Sequence, residues 1–311
     1  VDGLEAVAAL LIAVVGPTAA GKSAVALRLA QETAGEIVSC DSLQVYRGLD
    51  IGSAKATPEE RAAVPHHLLD VVAPDEAFSA AEYARLARAS LEGIRGRGRL
   101  PIVVGGTGLY LRALLHGLFE GPARDEALRA RLSALGARHG SPRLHRLLAR
   151  VDPEAAARIA PRDAIRIVRA LEVFKTTGRP LTAHHRAGAP ALEGFRVHVV
   201  GLAPPRDALR DAVVRRTDGM FARGLLAEVR GLLDRGYASD LRPLQAIGYR
   251  QAVDVVLGRR DEADARRDIV ASTMRYAKRQ LTWFRHQTDA SWSESESGAF
   301  AGAMRTWEAR G

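Results

Sequence analysis

The chain of 311 residues has one cysteine, Cys40. That excludes an internal disulfide and any metal site built from clustered cysteines, and it fits a reducing cytosol. Cys40 itself reads as a small buried residue at the end of a strand. Long apolar runs are missing too. The longest early one, Ala6 to Val15, is far shorter than the roughly 20 residues a membrane helix needs. No basic leader precedes it and it leads straight into a glycine-rich turn, so it is expected not to be a signal peptide. No segment repeats.

Acidic residues are fewer than basic ones, 36 against 45, for a net charge of +9, which admits an anionic partner. The imbalance is local. Gly121 to Gly194 holds 14 Arg/Lys and 7 Asp/Glu. "STMRYAKRQLTWFR", Ser272 to Arg285, has four basic residues and no acid. Composition alone leaves open whether these are solvated helix faces or anion-binding surfaces.

At this length the chain can bury one large core, or one core with a smaller inserted domain. Three apolar runs end in polar residues: "LLIAVVG", "EIVSCDS" and "LPIVVGGTG". A fourth, "RVHVVGLAPP" (Arg196 to Pro205), follows a long helical interval. Helical patterns such as "SAAEYARLARASLEGIRGRG" and "LYLRALLHGLF" lie between and after them. The expected fold is therefore α/β, a phosphate-loop-type parallel sheet flanked by helices, with an all-helical insertion and a helical C-terminal part. Residues 1–120 and 195–290 are expected to form the core and 121–194 the insertion. Residues 291–311, rich in Ser, Glu and Gly, are expected to be a loosely attached tail.

"GPTAAGKS" carries the strongest chemical signal. Gly16, Gly21, Lys22 and Ser23 fit G-x-x-x-x-G-K-[ST], with a strand before and a helix after. Glycines let the backbone N–H groups and the helix N-terminus face an anion, Lys22 adds a charge, and Ser23 offers a hydroxyl to Mg²⁺. The loop points to a polyphosphate without saying which. After the second strand, "DSLQVYRGLDIGSAK" places Asp41 near that loop, as a metal-bridging acid, a general base or a turn residue. Gln44 has an amide of the kind that reads an adenine edge. In "PHHLLD" the two histidines would point oppositely on a strand, so a structural loop is expected rather than a metal site. "VVGGTGLY" is a strand-to-helix turn in which Thr107 can touch a ligand. "RYAKRQLTWFR" mixes cations with aromatics, which suits RNA contacts, a buried helix face, or both.

Taken in order, "GPTAAGKS", "DSLQVYRGLDIGSAK", "PHHLLD", "VVGGTGLYLRAL", "RALEVFKTTGRPLT", "GLLAEV", "QAIGYR" and "YAKRQLTWFR" resemble bacterial tRNA dimethylallyltransferases, from Gly16 to Arg285. The resemblance implies that Gly16, Pro17, Thr18, Ala19, Ala20, Gly21, Lys22 and Ser23 hold the diphosphate of dimethylallyl diphosphate, with Mg²⁺ on Ser23. It implies prenyl transfer to N6 of adenine 37 in tRNAs that read codons starting with U, with Asp41 as general base and Thr107 and Arg216 assisting. The adenine would be flipped out of its stack. The implied tRNA contacts are Asp41, Ser42, Leu43, Gln44, Thr107, Arg129, Arg166 and Arg169. In the C-terminal part they are Gln245, Gly248, Tyr249, Arg250, Lys278, Arg279, Gln280, Trp283 and Arg285. Ala212 stands where many relatives carry arginine, and Ser53 and Ala56 replace the usual Thr and Pro. Eukaryotic members carry a C-terminal zinc finger, for which this sequence has no cysteines. A cytoplasmic monomer without membrane contact is expected.

Three rival readings remain. An adenylate isopentenyltransferase would use free AMP, ADP or ATP and would need no basic insertion. A phosphate-loop small-molecule kinase would leave "QAIGYR" and "KRQLTWFR" without a role. A non-catalytic RNA-binding module would leave the phosphate loop and Asp41 without one.

Overall fold

The computed structural model describes residues 8–118, 121–122, 125–187 and 190–310. Ala6, Val7, Phe119 and Gly311, which belong to segments read above, lie outside them. In chain order the elements are β1 (Ala9–Val15), α1 (Lys22–Thr33), β2 (Glu36–Ser39), α2 (Pro58–Ala63), β3 (His66–His67), α3 (Ala80–Gly96), β4 (Pro101–Gly105) and α4 (Gly108–His116). There follow α5 (Glu126–His139), α6 (Ser141–Val151), α7 (Pro153–Arg158), α8 (Ala164–Thr177) and α9 (Leu181–Ala187). The chain then continues with β5 (Phe195–Leu202), α10 (Arg206–Ala222), α11 (Leu225–Asp234), α12 (Tyr249–Val256), α13 (Glu262–Gln287), β6 (Ser291–Ser293) and α14 (Glu296–Glu308). A 3₁₀ turn at Arg242–Gln245 precedes α12.

The six strands form one sheet in the order β3-β2-β4-β1-β5-β6, every pairing parallel. The expected α/β fold with a parallel sheet is thus the one found. Its centre explains itself: in β1 all but the first residue are buried, and an unbroken apolar run suits a strand covered on both faces. Because the strands are parallel, the turns after β1, β2 and β4 all leave from one end of the sheet, where ligands bind in such folds.

Two short strands escaped the sequence reading. "PHHLLD" supplies β3 at one edge rather than a loop. There the His67 ring bonds the buried Glu36 carboxylate at 2.7 Å, and Arg97 holds the same carboxylate at 2.7 and 2.9 Å. Among the described residues no group of three His, Cys, Asp or Glu is placed to hold a metal. The other is β6, and it overturns the expectation of a loose tail. β6 pairs with β5, and α14 buries Ala299 and Ala303 in the core cluster that contains Val25 and Leu29 of α1. Ser295 caps α14 by accepting the Gly298 N–H, and the Arg28 guanidinium lies 3.8 Å from the Phe300 ring centre. Small apolar residues four apart are easily lost in a polar composition, yet they suffice for a helix that packs closely.

The chain divides into two compact units. One comprises the residues up to Leu114 and those from Leu192 on; the other is Leu115–Ala191. The second unit is a helical assembly with its own core of Leu132, Leu144, Leu148, Ala155, Ile167 and Leu171, among others. Asp125, Asp152 and Asp163 cap α5, α7 and α8, each accepting a backbone N–H of the first turn.

Candidate active site

The phosphate loop leaves β1 at Gly16, whose φ is +140°. A Cβ there would lie 2.4 Å from the Leu202 carbonyl oxygen of β5, so only glycine lets the loop pass. Gly21, also at positive φ, opens α1, and Lys22 and Ser23 form its first turn, with Ser23 exposed. The Lys22 ammonium donates to the Pro17 carbonyl at 2.6 Å, curling over the loop. Burial pushes Lys22 down to about 8, and the Arg216 charge adds to that while Asp41 opposes it. Burial likewise lowers the Arg216 guanidinium, again against the attraction of Asp41. Two cations and one carboxylate thus share a poorly solvated space beside the loop, an arrangement that gains from a bound dianion.

Asp41 begins the turn after β2 and accepts the Leu43 N–H at 2.8 Å through Oδ1, an Asx turn that fixes the carboxylate. The turn after β4 lies against it because Gly105 has no side chain: a Cβ there would sit 2.1 Å from the Cys40 carbonyl oxygen. Thr107 accepts the Ser42 N–H at 3.1 Å through Oγ1 and donates its own N–H to the Cys40 carbonyl at 3.2 Å. The structure therefore brings Asp41, Ser42, Leu43 and Thr107 together. Cys40, between them, is buried, and burial pushes its thiol up to about 12; it is an inert core residue.

A family model described as IPP transferase matches residues 44–287. The chain belongs to the IPP transferase family. It is 52% identical over 90% of its length, and 91% of the relative's, to a tRNA dimethylallyltransferase of Myxococcus xanthus (strain DK1622). It is 48% identical to one of Solibacter usitatus (strain Ellin6076), covering 91% and 92% of the two chains. Among solved structures it resembles the tRNA isopentenylpyrophosphate transferase of Bacillus halodurans, with TM-score 0.66, 39% identity and coverage of 96% and 99%. A eukaryotic dimethylallyltransferase described as acting on tRNA shares the fold, at TM-score 0.78 and 24% identity, covering 97% and 80%.

In this family member the remaining residues singled out from the sequence fall into two groups. Several are engaged inside the protein. Gln44 accepts from the Ser39 hydroxyl at 2.8 Å and donates to the Ser53 and Ala54 carbonyls at 3.3 and 3.2 Å. Its amide thereby shapes the loop. Tyr249 is fully buried and donates its hydroxyl to Glu228 at 2.7 Å; Gly248 before it is buried too. Gln280 is buried, with its amide bonded to Thr18 and Gly106. Gln44, Tyr249 and Gln280 thus have their polar groups engaged within the protein. Arg129 and Arg169 both turn toward the fully buried Glu172, at 3.5 and 2.8 Å.

The other group is exposed. Arg166 has a side chain 74% accessible, beside Asp163 at 3.4 Å. On α13, Lys278, Arg279 and Arg285 are exposed, and the half-buried Trp283 packs on Gly108. Gln245 and Arg250 are exposed as well; Gln245 donates to the Ser239 carbonyl at 2.9 Å, and Arg250 lies 3.8 Å from Asp268.

One residue of the site went unassigned in the sequence. Glu228 of "GLLAEV" accepts three successive backbone N–H groups, of Asp50, Ile51 and Gly52, at 3.0, 2.7 and 3.3 Å, besides the Tyr249 hydroxyl. It thereby holds the "DIGSAK" loop, whose Ser53 carbonyl accepts from Arg216 at 3.5 Å. Ser53 itself is buried and donates to the Leu49 carbonyl at 2.6 Å, a bond the more usual threonine would also make. Nothing in the structure explains Ala212, half-buried on α10. The only forecast of Glu228 was an acidic residue inside an otherwise apolar helical block, since a carboxylate on such a face needs donors.

Proposed function

We propose that this chain transfers the dimethylallyl group of dimethylallyl diphosphate to N6 of adenine 37 in tRNAs that read codons starting with U, releasing diphosphate. The observation that carries this reading is one carboxylate, Asp41, facing two cations, Lys22 and Arg216, at the end of the sheet where the phosphate loop lies. The bond from C1 of the prenyl group to the diphosphate oxygen breaks with its electron pair going to the diphosphate. The N6–C1 bond forms, and N6 loses a proton to Asp41. Negative charge grows on the leaving diphosphate, so the loop N–H groups, Lys22 and Arg216 stabilise the transition state more than the ground state. Asp41, oriented by its Asx turn, removes the proton from an amine whose lone pair is otherwise spread into the ring.

Mg²⁺ belongs to the same reading. At the start of α1 the exposed Ser23 offers a hydroxyl, and among the described residues no group of three His, Cys, Asp or Glu is placed to hold a metal. That fits an ion held mainly by substrate oxygens and water, which would neutralise diphosphate charge. Lys278, Arg279, Arg285 and Arg166 supply exposed cations for the RNA backbone. No helix of the described residues is long and apolar enough to cross a membrane; a cytoplasmic monomer completes the proposal.

The test is transfer of labelled dimethylallyl groups, with Mg²⁺, to unmodified tRNA and to AMP in parallel. Label in tRNA alone is expected; label in AMP alone would replace this reading with the free-nucleotide enzyme. Asp41→Ala is expected to lower turnover by about 10²- to 10⁴-fold while filter binding of tRNA is unchanged. Retained turnover would remove the general-base role.

A further inference from the structure

We propose that Gln280 is a positioning residue that sets the distance between the two reacting substrates. Its side-chain oxygen accepts the Thr18 N–H of the phosphate loop at 2.9 Å, and its side-chain nitrogen donates to the Gly106 carbonyl at 2.8 Å. Thr18 belongs to the loop after β1, and Gly106 directly precedes Thr107 in the turn after β4. These strands are neighbours, paired from Ile12–Ile102 to Val15–Gly105. Beyond Val15 and Gly105 no further strand pairing joins the two turns. One buried amide, 7% exposed, bonds to both of them just past the end of the ladder.

The inference rests on the proposed function, because it matters which substrate each turn holds. The loop after β1 holds the diphosphate and hence C1; the turn after β4, through Thr107, Ser42 and Asp41, holds the attacking N6. A group that ties the two turns fixes the approach of N6 to C1 without touching either substrate. Such alignment governs the rate: displacement by about 1 Å can cost about a hundredfold.

The geometry also explains why the residue is glutamine. Its amide offers an acceptor and a donor from one rigid plane without needing a proton, as an ionised carboxylate of the same length cannot. Glutamate would keep the bond from Thr18 but face the Gly106 carbonyl with a second acceptor. Leucine would leave a buried N–H and a buried C=O unmatched. The fit is close, since a Cβ on Gly106 would lie 2.2 Å from the Gln280 nitrogen.

Gln280 lies on α13, next to the exposed Lys278 and Arg279. Simple contact with tRNA would predict weaker RNA binding on mutation; positioning predicts a different result. In the full-length protein with Mg²⁺, Gln280→Leu and Gln280→Glu are expected to lower the single-turnover rate at saturating substrates by about 10- to 100-fold. Dissociation constants for tRNA and for inorganic diphosphate are expected to stay within about threefold. Gly106→Ala pushes the amide aside without removing it. It should reproduce the slower rate in the wild-type background and cost little further in the Gln280→Leu background, a non-additivity that keeps the test independent of folding defects in any one variant.

Weakened tRNA or diphosphate binding with an unchanged single-turnover rate would overturn the proposal and make Gln280 a binding residue. Full additivity of the two substitutions would overturn it as well. If the wild-type chain transfers no prenyl group to tRNA, the function reading fails and this proposal falls with it. If the wild type transfers and the variants match it, this proposal alone is wrong.

Discussion

The two arginine-rich regions handle their charge in opposite ways. In the helical unit Leu115–Ala191, Arg129 and Arg169 are drawn to Glu172, a carboxylate with no exposed surface. On α13 the cations Lys278, Arg279 and Arg285 are exposed, and the buried face carries Ala265, Ile269, Ala277, Gln280 and Phe284 instead. A count of basic residues treats the regions alike; the partners do not. The acids of the helical unit divide too: Asp152 and Glu172 are buried, whereas Asp125 and Glu126 are exposed and the half-exposed Glu154 pairs with Arg158 and Arg186. The cations open to a ligand are residues such as Arg166 rather than the arginines nearest the buried acid.

Removing Glu172 should produce the largest effect on this contrast. Glu172→Gln leaves Arg129 and Arg169 without their counter-ion. Breaking a buried pair costs about 3–5 kcal/mol, and because both arginines keep some solvent, about 2–3 kcal/mol is expected, read as a lower urea midpoint of the full chain. An unchanged midpoint would mean that the buried carboxylate contributes nothing and the two regions differ only in sequence. Next in size is the salt dependence of tRNA binding. Lys278→Ala with Arg279→Ala should reduce the slope of log K against log salt by about 0.7 for each charge removed. Arg166→Ala should reduce it by about half as much as that pair, and Arg129→Ala should leave it unchanged while lowering stability. If Arg129→Ala flattened the slope as much as Lys278→Ala, the distinction between engaged and available cations would be broken.

The same contrast separates what was legible in the sequence from what was not. The parallel sheet was legible because "LLIAVV" and "LPIVVGG" are continuous apolar runs that only a doubly covered strand explains. The glycine-rich turn after β1 and the turns that carry Asp41 and Thr107 were legible as turns because they follow such strands directly. The folding of residues 291–308 was not: β6 is three residues long, and α14 fully buries only Ala299 and Ala303, with Phe300, Met304 and Trp307 partly buried against the core beside them, a face interrupted by serine, glycine and charged residues. Nor was the division of labour among polar residues. Gln44, Gln280 and Glu228 carry the same donors and acceptors whether they face a ligand or a backbone carbonyl, and only the fold decides. Charged and amide side chains near a site are ambiguous in sequence for that reason, whereas glycine at a close approach, such as Gly16 or Gly105, is not.

Lys22 offers the finest test, because it is a third kind of cation, poorly solvated and close to another positive charge. With its ammonium at about 8 in the ligand-free protein, against 10.5 ordinarily, the unfolded chain binds more protons than the folded one between those values. Stability should therefore rise with pH through that window. Diphosphate binding should move the other way, since the anion needs the charged form and must restore the lost proton. At pH 9 about nine-tenths of the free protein has a neutral Lys22, so diphosphate affinity should be about tenfold lower than the trend of a Lys22→Met variant predicts. Using that variant as reference cancels the titration of diphosphate itself. Isothermal titration and thermal melting across pH 7 to about 10 read both slopes; opposite signs in the wild type, and neither difference in Lys22→Met, are expected. Slopes of the same sign would show that burial does not loosen the Lys22 proton, and the contrast between the two cationic sites would be lost.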